Sequence, residues 1–224
     1  MVKASGVQRK SDGVVVPVIA VRTIGVACPL PADCLRTDAQ TTIAKWHVEM
    51  AQLQLNRITR LLTPDVPADL LDTARTFALL NLALADAQVS VFEAKYTYHF
   101  VRPVTAIRAG DADGVDDTVG DPGWTPLLPT PPHPEYPSAH AVIQAAGAEV
   151  IKKAFGRHTG FDTTSATVPG LTRHFENIDA FVSDGQAARI YGGMHFRTAV
   201  ERGRTQGRKV GRLVLERALL PIED

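Results

Sequence analysis

The sequence carries no surplus of either charge: among its 224 residues, 24 Lys plus Arg balance 24 Asp plus Glu. General binders of nucleic acid or anionic membrane carry a basic excess, so both kinds of partner are disfavoured. Aromatic residues amount to only 6%, too few for a platform on which bases stack. Cysteine is almost missing. Cys28 and Cys34 cannot complete a four-ligand zinc site alone, and they say little about redox compartment. Long hydrophobic runs are also scarce, and none reaches the roughly 18 residues that a membrane span needs. The nearest approach is GVVVPVIAVRTIGVAC, from Gly13 to Cys28, which Pro17 and Arg22 interrupt. With Lys3, Arg9 and Lys10 before it, the segment has the outline of a signal peptide. The charge inside its apolar part speaks instead for a flexible lead-in or a stray strand. A cytoplasmic address is favoured over a secreted or periplasmic one.

What remains is the balance of a globular chain, 45% hydrophobic and 21% charged, of a length that suits one domain. The expected division is a lead-in over 1–36, a helical domain over 37–219 and a tail over 220–224. Thr37 or Asp38 can cap a helix that runs to about Leu62. Pro64 and Pro67 punctuate the chain, and Pro67 suits the first turn of the next helix. That helix, from about Ala68 to Tyr98, carries Leu70, Ala74, Phe77, Leu80 and Leu84 at spacings of three and four, the mark of one buried face. Leu79, Leu82, Ala83, Val89, Val91 and Phe92 make it apolar nearly all round, so it is expected at the centre. Seven prolines between Pro122 and Pro137 exclude a regular helix there and predict a long, stiffened loop. Helices are expected again from Ser138 to about Ala154, Arg173 to Tyr191 and His195 to Leu219, the last two parted by Gly192 and Gly193. No strand signal stands out beyond the first 30 residues, and the fold class read from this pattern is all-α.

Three clusters can carry chemistry. In KYTYHFVRP, a continuous helix would project Lys95, His99 and Arg102 from one face. Taken alone, they read as a solvated basic face. In PSAH, Ser138 stands where it would cap a helix whose free amides at Ala139 and His140 attract an anion. Taken alone, this is a capped helix with a surface histidine. In ARIYGGMHF, the two glycines can turn the chain so that Arg189 and His195 converge. Together the clusters supply two histidines, three fixed cations, a hydroxyl and a helix start. Those are the parts needed to hold a compact tetrahedral oxyanion.

Lys95 with six residues before Arg102-Pro103, then PSAH, then Arg189 with five residues before His195, resembles a known signature. It is that of the vanadium-dependent haloperoxidases and type 2 phosphatidic acid phosphatases (PAP2), which reads KxxxxxxRP, PSGH and SRxxxxxHxxxD. NLALADAQ, PPHPEYPSAHA and RIYGGMHFR resemble the flanks of bacterial haloperoxidase-type members. The likeness extends over about Thr37 to Arg217. It implies an all-helical bundle with long Pro-rich loops and an oxyanion at its centre. By position, it makes His195 the partner of vanadate, or the nucleophile on phosphorus in a phosphatase, and His140 the acid/base. Lys95, Arg102 and Arg189 would neutralise the anion, with Ser138 and the Ala139 amide donating to it. Lys95 would also polarise bound peroxide. Phosphate could occupy the same site. His133, seven residues before His140, resembles the family's bromoperoxidases where the fungal chloroperoxidases carry an aromatic residue, so bromide is the expected halide.

The signature is departed from at Ala139 (Gly), Ala188 (Ser) and Ala199 (Asp). The last change removes the carboxylate that would orient His195, and Glu201 or Asp184 is the expected substitute. The resemblance implies small-molecule substrates (hydrogen peroxide and halide), with no nucleic-acid partner and no membrane span. A soluble acid phosphatase acting on phosphate monoesters is the alternative activity, and a degenerate oxyanion-binding module the non-catalytic one. Haloperoxidases of this family have an N-terminal helical half that the first 36 residues do not resemble. That leaves open a compact phosphatase-sized member, a truncated paralogue or a chain completed by a partner copy. Ala199, Gly203, Gly207 and Gly211 leave one face of the last helix nearly bare, for close packing within the domain or across a homodimer.

Overall fold

A computed structural model of the chain describes residues 7–9, 15–17, 36–66, 68–114 and 118–220. Cys28, Cys34 and Pro67 lie outside the described residues. In the lead-in, β1 (Val7–Arg9) and β2 (Val15–Pro17) pair antiparallel. The body is helical as expected. It comprises α1 (Asp38–Trp46), α2 (Ala51–Leu62), α3 (Leu70–Tyr98), α4 (Pro103–Arg108), α5 (Ala139–Phe155), α6 (Ile178–Tyr191) and α7 (Arg197–Arg217).

The first helix differs from the reading to Leu62 by breaking at His47–Met50. Thr37 caps α1 through a full capping box with Gln40, but the chain then turns. The turn carries no Gly or Pro; tertiary contacts hold it. Ser165 Oγ and Thr167 Oγ1 donate to the Trp46 carbonyl at 2.6 and 3.1 Å, and the Trp46 indole donates to Leu171 O. Those residues lie in and beside a second departure from the sequence reading. β3 (Phe161–Thr164) and β4 (Thr172–Phe175) form a hairpin where a loop and the start of a helix were expected. The strands are four residues each, too short for their period to stand out. Phe161 and Phe175 turn inward and meet Trp46 and Phe181 in one aromatic cluster, so the helix expected from Arg173 starts at Ile178.

The central helix is α5, not α3. Every residue from Ala141 to Lys152 is buried, and α7, α3, α6 and α2 pack around it. In α3 only one side is covered, through Leu80, Ala83, Leu84, Ala87, Val91 and Lys95. Leu70, Leu71, Leu82 and Val89 are exposed, and so is Ala74 of the expected buried stripe. By length and composition alone, the stretch Leu70–Arg108 also qualifies as long and apolar enough to cross a membrane, although its polar residues leave no unbroken apolar run of that length. The α7 glycines pack within the domain. Gly203, Gly207 and Gly211 each lie against α5 backbone or the Ser138 carbonyl just before it. Among the described residues from Asp113 to Pro137 there is no helix, as the prolines demand.

Candidate active site

Lys95 lies in the last turn of α3, and the chain leaves that helix through His99 in the left-handed region (φ 47°). Arg102 then stands at the N-cap of α4, with Pro103 in the first turn. Lys95, His99 and Arg102 therefore do not share a helical face. His99 is exposed, whereas Lys95 and Arg102 are buried, so the solvated basic face is replaced by two cations in the interior. Lys95 Nζ donates to the carbonyls of Pro134 and Glu135 at 2.7 and 3.0 Å. Arg102 donates to His133 O at 3.1 Å, to Met194 O at 2.9 Å and to His195 Nε2 at 3.2 Å. Its second terminal nitrogen reaches His133 Nδ1 at 3.0 Å. The proline loop is thus tied to α3 and α4 through their cations.

Burial, aided by Arg102, holds Lys95 down at about 7. Arg102 and Arg189 are lowered to about 10, again mainly by burial, and Arg102 acts on Arg189. Both stay charged at neutral pH. These cations repel one another, and Glu135 is the carboxylate beside them. Burial raises Glu135 to about 7.

Gly192 and Gly193 turn the chain after α6 as expected, with Gly193 at φ 74°, and Arg189 and His195 are both buried. Arg189 donates to the His47 carbonyl at 2.8 Å, while its Nε is buried without a partner. His195 is pushed well below its ordinary value, first by burial and then by Arg102, Lys95, Arg189 and His140. Its hydrogen bonds define the tautomer. A guanidinium only donates, so the contact from Arg102 makes Nε2 the lone-pair nitrogen. Nδ1 then carries the proton and donates to Glu135 Oε1 at 2.8 Å. The same reasoning makes Nδ1 of His133 an acceptor from Arg102; its 3.2 Å approach to Pro134 O, which would need a donor, is the weaker contact. His133 is half-buried beside the Phe92 ring.

Ser138 occupies the N-cap of α5 as predicted, but its hydroxyl does not cap the helix. Its amide donates to Ala199 O at 3.0 Å, and its buried Oγ has no partner. Ala139 and His140 form the first turn of α5. His140 is half-buried rather than a surface residue. Its Nε2–H donates to Glu49 O at 3.3 Å, which leaves Nδ1 as an acceptor. Burial, then Arg189, holds it well below its ordinary value.

Two features were missed in the sequence. The break between α1 and α2 supplies the carbonyls of His47 and Glu49 to Arg189 and His140, and no punctuation residue marks it. Glu135, not Glu201 or Asp184, is the carboxylate at His195. Glu201 is exposed, and Asp184 is engaged by Arg173 and by His47 Nε2 at 2.9 Å. Glu135 stands three residues before Ser138 in PHPEYPSAH, but nothing in that stretch pairs it with His195.

The residues fit a tetrahedral oxyanion. Ser138 Oγ and Arg189 Nε are buried donors without partners, the first turn of α5 offers free amides, and Arg102 repels both Lys95 and Arg189 where an anion would relieve them. Among the described residues there is no His/Cys/Asp/Glu cluster suited to a bare metal cation.

Known proteins are similar to this chain in sequence and fold. Residues 75–224 match the family model described as the VCPO second helical-bundle domain. The vanadium chloroperoxidase of Curvularia inaequalis is 33% identical over 99 residues, which cover 40% of this chain and 16% of that protein. A bacterial vanadium-dependent iodoperoxidase structure superposes with a TM-score of 0.68 at 30% identity, covering 79% of this chain and 43% of the other. The holo form of a bacterial vanadium-dependent chloroperoxidase gives 0.62 at 23% identity, covering 83% and 45%, a likeness of fold. The chain thus spans less than half the length of these relatives.

Proposed function

The chain belongs to the VCPO second helical-bundle family, and from that premise we propose that its site holds vanadate and oxidises halide with hydrogen peroxide, bromide in preference to chloride. One observation carries the reading: three buried cations, Arg102 repelling both Lys95 and Arg189, and two unpartnered buried donors, Ser138 Oγ and Arg189 Nε, accompany a neutral His195 with its lone pair on Nε2. Bound vanadate would supply the electrophilic centre at which peroxide is activated for H2O2 + Br− + H+ → HOBr + H2O.

The remaining work falls to the protein. Lys95, Arg102 and Arg189 balance the anion's charge, Ser138 Oγ and the Ala139 amide donate to its oxygens, and His195 Nε2 is the ligand. His140 Nδ1 is free to take a proton, and negative charge beside it raises its proton affinity. His133, held by Arg102, lies near enough to influence halide access, and its likeness to the bromoperoxidases supports bromide.

The test is peroxide-dependent bromination of dimedone by the purified chain, with and without vanadate, and with His195→Ala. Turnover that requires vanadate and disappears in the variant is expected. No bromination despite bound vanadate overturns the reading. Hydrolysis of phosphate monoesters, inhibited by vanadate, would then point to a phosphatase in which His195 Nε2 attacks phosphorus. Anion binding without either reaction would identify a non-catalytic module.

A further inference from the structure

We propose that Glu135 is the positioning residue for His195, in place of the carboxylate that the signature carries one turn into the last helix; the inference rests on the oxyanion reading of the site. Position 199 holds alanine, buried, with its carbonyl engaged by the Ser138 amide. A side chain there has no carboxylate to offer. Glu135 reaches His195 out of the proline loop, and its amide, its carbonyl and its Oε1 are each held by a hydrogen bond. Its amide donates to Phe100 O at 2.9 Å, and its carbonyl accepts from Lys95 Nζ at 3.0 Å. Its Oε1 accepts from both His195 Nδ1 and the Phe196 amide, at 2.8 and 2.9 Å.

The two bonds to Oε1 come from consecutive residues at the start of α7. They define the rotation of the imidazole relative to the backbone that carries it. With Nδ1–H committed to Glu135, Nε2 keeps its lone pair and faces Arg102. A ligand atom needs that state, and outer partners of this kind fix both tautomer and ring direction. Glu135 touches no oxyanion in this arrangement. It acts through His195.

The experiment is 15N–1H NMR of the histidine rings in the protein without vanadate, with His195→Ala to assign the signal, alongside vanadate affinity by equilibrium dialysis. In the wild type, His195 is expected as the Nδ1–H tautomer with a slowly exchanging ring proton. Glu135→Gln keeps an acceptor oxygen and is expected to keep that tautomer. Glu135→Leu is expected to lose the slow proton and to bind vanadate about 10–100-fold more weakly, with the other histidine signals unmoved. An Nε2–H tautomer in the wild type overturns the proposal, and so does vanadate affinity within twofold of wild type in Glu135→Leu. Should Glu135→Leu not fold, the wild-type tautomer and its retention in Glu135→Gln decide the matter. The ring readout needs neither vanadate nor turnover. Its failure is therefore distinct from failure of the haloperoxidase reading.

Discussion

Replacing Gly207 with alanine sets two effects of known sign against each other. On helix propensity alone, glycine to alanine in the interior of α7 stabilises by about 1 kcal/mol. The added Cβ would stand 2.8 Å from the Val142 carbonyl carbon and 2.9 Å from Ala145 Cβ, with the Val142 oxygen nearer still. Ordinary contact begins at 3.4 Å, so relieving the carbon alone needs 3.4 − 2.8 = 0.6 Å of separation. The obstacle is backbone of the central helix, which cannot rotate away. A gap of that size along a helix seam forfeits a quarter to a half of each dispersion contact. The upper end of the overpacking range, about 3 kcal/mol, is therefore the fitting cost. Subtracting the gain of about 1 leaves a net loss of about 2 kcal/mol, or a drop of roughly 1 M in the urea midpoint. Exposed Glu201→Ala in the same helix is the control, expected within about 0.5 kcal/mol of the parent. A Gly207→Ala midpoint equal to or above that of the parent refutes the argument, because propensity would then outweigh the approach of α7 to α5.

Ser138→Ala should leave the urea midpoint unchanged, since Oγ has no partner inside the fold. It should weaken sulfate or vanadate binding roughly 10–100-fold in calorimetry, the worth of one hydrogen bond to an anion; a loss of stability with intact binding would refute this. Sulfate affinity should fall as pH rises through about 7. Below that value Lys95 is charged and Glu135 neutral, and above it Lys95 is neutral and Glu135 charged. Sulfate does not titrate in this range, so calorimetry from pH 5.5 to 8.5 isolates the protein groups. A profile flat in pH would mean that neither group changes charge there.

The residues that the structure gathers were legible as a group because the signature constrains residue type and spacing together. Lys95, Arg102, His133, His140, Arg189 and His195 are all gathered by direct contacts or mutual electrostatics. The orienting carboxylate was not legible. Glu135 and His195 lie 60 positions apart, and nothing local pairs them. A fixed motif directs attention to the position one turn after the histidine, where the partner is missing. The break after Trp46 failed for a related reason. It is imposed by Ser165 and Thr167 from a distant segment, and tertiary contacts override a helical pattern without leaving a mark in it. The outer side of α3 was misjudged because apolar spacing reports which faces can be buried, while the placing of α5, α7 and α2 against the helix decides which are.

The site draws on the turn at His47–Glu49, the end of α3, the proline loop, and the junction of α6 with α7. No contiguous stretch of chain holds all of it, and His195, Arg189, Lys95 and Arg102 reach it from other elements, so it does not exist before the bundle closes. An anion that binds there binds the native state alone, and its binding energy adds to the stability of the whole domain. At a hundred times its dissociation constant it contributes about 2.7 kcal/mol, a substantial fraction of the ~5–15 kcal/mol that holds a typical domain together. A tetrahedral oxyanion held there would thus be a folding ligand for this chain, and its concentration during synthesis would bear on how much protein reaches the native state.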